Sequence, residues 1–295
     1  MEDYGKMMME SFKDKVFRVT ITVLLIMIAM IAVIPLLSTI AMSLSSSTAA
    51  DMNAVTLWPV DFTLASWKHI LQDASLWRSC AVTAVSTILT VVLSIFVTAL
   101  MAYPLSKNYF KAGRVLMIFV ILTMIFKAPV VPYFLALKNL GFYNNPIVLV
   151  IPHIFSSYNM AIMRTSFKAF PSEIEEAAVI DGCGTAQVLF RIVFPSFKAM
   201  LTTMALFYGV TAWNQFQHPL MFINDVDWYP LQMKIRQMIN GGTEVMLTVL
   251  KVKNQYNETT LSAATMIFAV LPVIAVYPWL QKYFAKGAML GSVKG

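Results

Sequence analysis

Six apolar runs, each long enough to cross a bilayer as a helix, constrain what this chain can fold into. In hydrocarbon every backbone N–H and C=O must be satisfied within its own segment, so runs of this kind are read as helices. They occupy residues 19–42, 80–105, a third starting at Val115, 147–163, 197–223 and 261–283. The first is too long for the apolar region of a cleaved signal peptide. Pro35 predicts a kink in the first run, and Pro272 and Pro278 predict kinks in the sixth. Lys127-Ala128-Pro129 with Pro132 predicts a broken outer end for the third. The expected fold class is an all-α polytopic membrane protein with six transmembrane helices.

A net charge of +7 raises the question of nucleic acid, but the basic residues sit at the ends of the apolar runs and not on one arm, so no nucleic-acid partner is expected. Of the 22 Lys and Arg residues, 14 fall in segments read as inside and 7 in segments read as outside, with Lys127 left over. The bias puts both termini in the cytoplasm. The expected division is a cytoplasmic N-terminus (1–18), a six-span domain (19–284) and a cytoplasmic tail (285–295). The outside segment 43–78 opens with a serine run read as flexible, and Trp58, Trp67 and Trp77 suit the membrane interface. Cys80 and Cys183 lie on opposite sides in this topology and make neither a disulfide nor a metal site.

Residues 171–195 form the longest polar interruption on the inside. Ser172 and Glu175 have capping-box spacing, and Glu175, Glu176, Ala177 and Ala178 are good helix formers. Gly182 and Gly184 are expected to break that helix, and a second stretch, 185–194, to stop near Pro195. The prediction is a helix–turn–helix between spans four and five. A solvated connector is the plainer account, but Glu176-Ala177-Ala178, three residues, Gly182, nine residues, Ile192, one residue and Phe194-Pro195 resembles the EAA loop of ABC importer permeases. Phe194, where that family has Leu, is the one departure. The resemblance implies a cytoplasmic coupling helix that docks into a cleft on an ATP-binding subunit. Glu176, Ala177, Ala178, Asp181, Gly182, Ile192 and Pro195 are its implied contacts.

Two more stretches resemble the carbohydrate branch of that family, the group that includes the smaller maltose permease subunit. One is Trp213-Asn214 with Pro219-Leu220. The other is the tail from Lys286-Gly287 to Gly291-Ser292-Val293-Lys294-Gly295, whose last five residues are implied contacts of the ATP-binding subunits. The likeness is greatest to polysaccharide and uronate-oligosaccharide permeases. It implies a heterodimeric pore in the bacterial inner membrane with a second permease subunit. It also implies two ATP-binding subunits carrying ATP and Mg, an extracytoplasmic solute-binding protein, and a sugar or oligosaccharide as cargo.

From the residues themselves, Trp213, Asn214, Gln215 and His218 combine an aromatic face with amides and an imidazole, about 22 Å along a straight helix. Such groups are costly against lipid, so they face another helix or a wet cavity. Packing between helices is the simple account, and a sugar path the functional one. Lys127, about 18 Å into its span, is a further candidate for that path, with snorkelling or burial as the alternative. His153 is read as a satisfied interhelical group. No phosphate loop, catalytic triad or metal constellation is present, so no catalytic residue, metal site or cofactor is expected in this chain. The competing reading is an ion-coupled secondary transporter or channel, a class that tends to carry paired intramembrane acids; the six cores hold none.

Overall fold

The computed structural model describes residues 12–241 and 257–292, and every regular element among them is helical. The polar start of the N-terminus, part of the last outside segment (242–256) and Val293, Lys294 and Gly295 of the tail lie outside the described residues. The chain divides into two units. One is built on the described residues up to Gln72 with those of Ile239–Phe268, the other on Asp73–Met238 with those from Ala269 onward.

In the first unit α1 (Phe12–Ser43) runs without a break through Pro35. Its apolar side chains are exposed on all sides as far as Leu37, a surface suited to lipid or another subunit. The serine run after it is ordered, not flexible. Ser43 and Ser45 are buried, and Ser45 Oγ donates to the Ala41 carbonyl (2.7 Å) and accepts from Val60 N–H (3.1 Å). Ser46 caps the short α2 (Ser47–Asp51) by accepting from Ala49 N–H. Hydroxyls that satisfy backbone groups at a turn remove the freedom that a serine-rich sequence implies. In α3 (Ala65–Gln72), Ser66 and Trp67 reach Thr260 Oγ1 (3.0 Å) and Ser43 Oγ (3.3 Å).

The second unit is organised by α4 (Ala74–Ser106). Asp73 starts it by accepting from the Ser75 N–H and hydroxyl. Burial pushes the Asp73 carboxyl up, but these bonds and Lys234 leave it net below its ordinary 3.8. One face of α4 buries Ser79, Thr83, Ser86, Thr90, Ser94 and Thr98, at intervals of three and four, while Val85, Ile88, Leu89, Val92 and Phe96 are exposed. Helices in lipid gain little from apolar burial against each other, so small side chains that admit close backbones form the seam. Against it pack α7 (Ser157–Lys168) and α11 (Lys198–Trp213).

Three spans are bent. The third run becomes α5 (Gly113–Ile125) and α6 (Val130–Asn139), which meet at 117°. Thirteen residues of α5 rise only about 20 Å, short of a hydrocarbon core of about 30 Å. Instead of extending α5, α6 folds back over a small core of Val148, Leu149, Phe222 and Ile223. The fourth run is a pair of 3₁₀ turns (Pro146–Leu149, Ile151–His153) followed by α7, bent by 43°. The fifth is bent at its start, where Thr185–Ser196 meets α11 at 86°; its helix ends at Trp213 and the chain resumes as α12 (Gln217–Phe222). The last helices are α13 (Leu231–Gly241) and α14 (Glu258–Ser292), the latter continuous through Pro272 and Pro278. With each bent pair taken as one span, the described residues hold six.

Candidate functional site

Two regions carry the candidate residues. The first is the helix–turn–helix. Here α8 (Ser172–Ile180) begins after Pro171, and no side chain caps it. The capping box expected at Ser172 and Glu175 does not form. The Glu175 carboxylate instead takes the Lys107 ammonium in a nearly buried ion pair, with side chains 14% and 12% exposed, and Lys107 also lies 4.7 Å over the Tyr103 ring. A capping bond is worth about 1 kcal/mol, whereas a buried Lys107 without a counter-charge would cost several.

Gly182, at φ +85°, ends α8. Its N–H donates to the Val179 carbonyl and the Cys183 N–H to the Ala178 carbonyl, the Schellman pattern that a left-handed glycine allows. Gly184 then opens the short α9 (Thr185–Gln187), its N–H donating to Gln187 Oε1 (3.0 Å). The second stretch stops at Ser196, one residue past Pro195, as its position predicts. A π turn over Val188–Val193 widens the coil, and Pro195, which has no N–H to lose, enters the next turn, α10 (Phe194–Ser196). The chain turns at Phe197, where Thr185–Ser196 meets α11 at 86°. Ala178, Val188, Leu189 and Val193 are buried and Ile192 is partly buried, while Glu176, Ala177, Asp181, Gly182 and Pro195 are exposed. Between them α8 also exposes Ile174 (47%), Val179 (60%) and Ile180 (85%).

The second region is a cavity of about 1120 Å³. It lies among α4, the His153 turn, α7, α11 and Pro272 to Val276 of α14. Trp213, Phe155, Tyr158 and Phe207 give it aromatic walls; Thr87, Ser156, Asn159 and Tyr208 add hydroxyl and amide groups, and among the described residues no charged one lines it. Trp213 Nε1 donates to the Ala269 carbonyl (3.4 Å), and the Tyr208 hydroxyl pairs with Thr98 Oγ1 (2.7 Å). Thr87 Oγ1 and His153 Nε2 are buried with no hydrogen-bond partner among the described residues.

Of the five candidates for the substrate path, only Trp213 lines this cavity. Gln215 is buried, its amide donating to the Leu149 carbonyl (3.1 Å). His218 Nε2 bonds to the Tyr133 hydroxyl (2.7 Å), and its ring lies 4.3 Å from that of His153. Exposed Asn214 bonds to the Val210 carbonyl and to Gln232. Lys127 is exposed in the break between α5 and α6. His153 is the residue that sequence reasoning passed over. It meets His218 only because α12 and the 3₁₀ turns share the α6 core, and no spacing in the chain encodes that.

A family model described as "Binding-protein-dependent transport system inner membrane component" matches residues 95–289. The chain is 33% identical over 285 residues to the polygalacturonan/rhamnogalacturonan transport system permease protein YtcP of Bacillus subtilis (strain 168), covering 96% of this chain and 100% of that protein. It is 29% identical over 273 residues to the arabinooligosaccharides transport system permease protein AraQ of Halalkalibacterium halodurans, covering 91% and 93%. It is also similar to a chain in the crystal structure of a bacterial ABC transporter involved in the import of the acidic polysaccharide alginate. There the TM-score is 0.87 and the identity 31%, covering 93% of this chain and 98% of that one. With its six-part helical layout and this near full-length agreement, the chain belongs to the family of inner membrane components of binding-protein-dependent transport systems.

Proposed function

We propose that this permease subunit forms half of the pore of an ATP-driven importer for a sugar or oligosaccharide. Residues 171–195 couple it to the ATP-binding subunits. The observation that carries the coupling is the exposure of Ile174, Val179 and Ile180 on a short helix beside Glu176 and Asp181. Three large apolar side chains exposed outside the spans, with Glu176 and Asp181 among them, offer a surface for a partner on an element closed by the Schellman turn. Glu176 and Asp181 give it polar contacts, Ala177 and Gly182 admit a close backbone, and Ile192 and Pro195 pass movement on towards α11.

The Lys and Arg bias supports a cytoplasmic location for this element and both termini. The partners are a second permease subunit, two ATP-binding subunits that hold ATP and Mg, and an extracytoplasmic solute-binding protein. The tail residues Gly291, Ser292, Val293, Lys294 and Gly295 also reach the ATP-binding subunits. Sugar oligomers named for the relatives support the cargo class. The aromatic walls and hydroxyls of the cavity suit a polyhydroxylated molecule, with Trp213 stacking on its C–H face. Asn214, Gln215 and His218 support that wall from behind. No charged side chain among the described residues lines the cavity, and exposed Lys127 is the candidate counter-charge for an acidic sugar.

Glu176→Lys tests the coupling. The expected result is loss of ATP-driven uptake, with the spans still inserted and the ATP-binding subunits either lost on purification or retained with hydrolysis uncoupled. Unchanged uptake in that variant would overturn the role of residues 171–195.

A further inference from the structure

A second pocket, of about 490 Å³, lies where the end of α4, the start of α5 and the end of α7 meet. Lys107, Lys111, Arg114, Arg164 and Lys168 all line it, and among the described residues no acidic one does. Two of these cations are already engaged. Lys107 pairs with Glu175, and Arg164 Nε donates to the Leu105 carbonyl (2.7 Å). Lys111, Arg114 and Lys168 have no ion pair or hydrogen bond to any described residue. The start of α5 adds to the positive field, since Ala112 at its N-cap offers no capping side chain.

One side of the lining is apolar. Met117, Ile118 and Ile121 of α5 contribute to it, and Ile118 and Ile121 are also exposed along the flank of that span, at 52% and 45%. Cations at three helix ends on one membrane surface, continuous with an apolar strip along a span, match a molecule with an anionic head and a hydrocarbon tail. A free phosphate would leave the apolar strip unused. An acidic protein segment would have to lay polar backbone along a lipid-facing helix.

We propose that this pocket binds an anionic phospholipid. The phosphodiester sits among Lys111, Arg114 and Lys168, and an acyl chain follows Met117, Ile118 and Ile121. The inference does not depend on the coupling role or the cargo.

The test uses the full chain purified with the subunits that accompany it and stripped of lipid by detergent exchange. Phosphatidylglycerol, phosphatidylcholine or inorganic phosphate is titrated in, and bound molecules are counted by native mass spectrometry. Phosphatidylglycerol should be retained in clear preference to the other two. Lys168→Gln should weaken its retention about fivefold, and the triple change of Lys111, Arg114 and Lys168 to Gln on the order of a hundredfold. Lys111→Arg with Lys168→Arg should keep it, which separates loss of charge from misfolding. Equal retention of phosphatidylglycerol and phosphatidylcholine, or full competition by inorganic phosphate, would overturn the proposal. So would an unchanged preference in Lys168→Gln and the triple variant, including a triple variant that loses its accompanying subunits while keeping the lipid.

Discussion

Glu175 shows how one side chain is reassigned by what surrounds it. Its spacing from Ser172 fits a local capping role, yet the tertiary fold brings Lys107 to it from 68 residues away. Because both side chains are largely shielded, truncating either should strand the other. Glu175→Met or Lys107→Met alone is expected to lower stability by about 3 kcal/mol, while the double change to methionine should cost clearly less than the two singles together. Thermal unfolding of the purified complex for all four proteins measures the coupling; additive losses would mean that the pair contributes nothing as a pair. His153 makes the same point for the cavity. As a single imidazole in an apolar run it reads as interhelical filler, and only the packed fold shows Nε2 without a partner at a cavity wall.

At the scale of the element, the helix–turn–helix depends on backbone conformation more than on contacts. Gly182 sits at φ +85° with open space where a Cβ would go, so strain and not collision is the cost of replacing it. Gly182→Val should weaken the turn by about 1–2 kcal/mol, and Gly182→Asn by less, since Asn tolerates left-handed backbone. Hydrogen exchange of the 171–195 backbone in the two variants checks the order, and equal protection in both would contradict it. This turn was legible in the sequence because glycine reports a local requirement. The π turn before Pro195 was not. It depends on Val188, Leu189 and Val193 being buried against the rest of the unit, which no local rule contains. Proline marks the bends of the third and fifth spans, at Pro129 with Pro132 and at Pro195, but their angles of 117° and 86° are set by packing.

For the molecule as a whole, the proposed function makes the cavity between α4, α7 and α11 the substrate path. Ala84 lines it from α4. Ala84→Trp should reduce uptake of the cargo severely while the complex still assembles and its ATP hydrolysis still responds to the loaded binding protein. Uptake at the parental rate would move the path elsewhere. What the sequence determined by itself was the helical, membrane-spanning class, the number of spans, the position of the polar element and its glycine turn. Those follow from rules that act along the chain: backbone groups in lipid must be satisfied within a segment, and glycine and proline mark where a segment can turn. Tertiary structure alone decided which faces meet. The hydroxyl seam of α4 selected its neighbours, the fold-back of α6 paired His153 with His218, and the convergence of three helix ends gathered five cations around one pocket. Those pairings join residues tens to more than a hundred positions apart, and the free energy that fixes them belongs to the packed bundle and not to any segment of it.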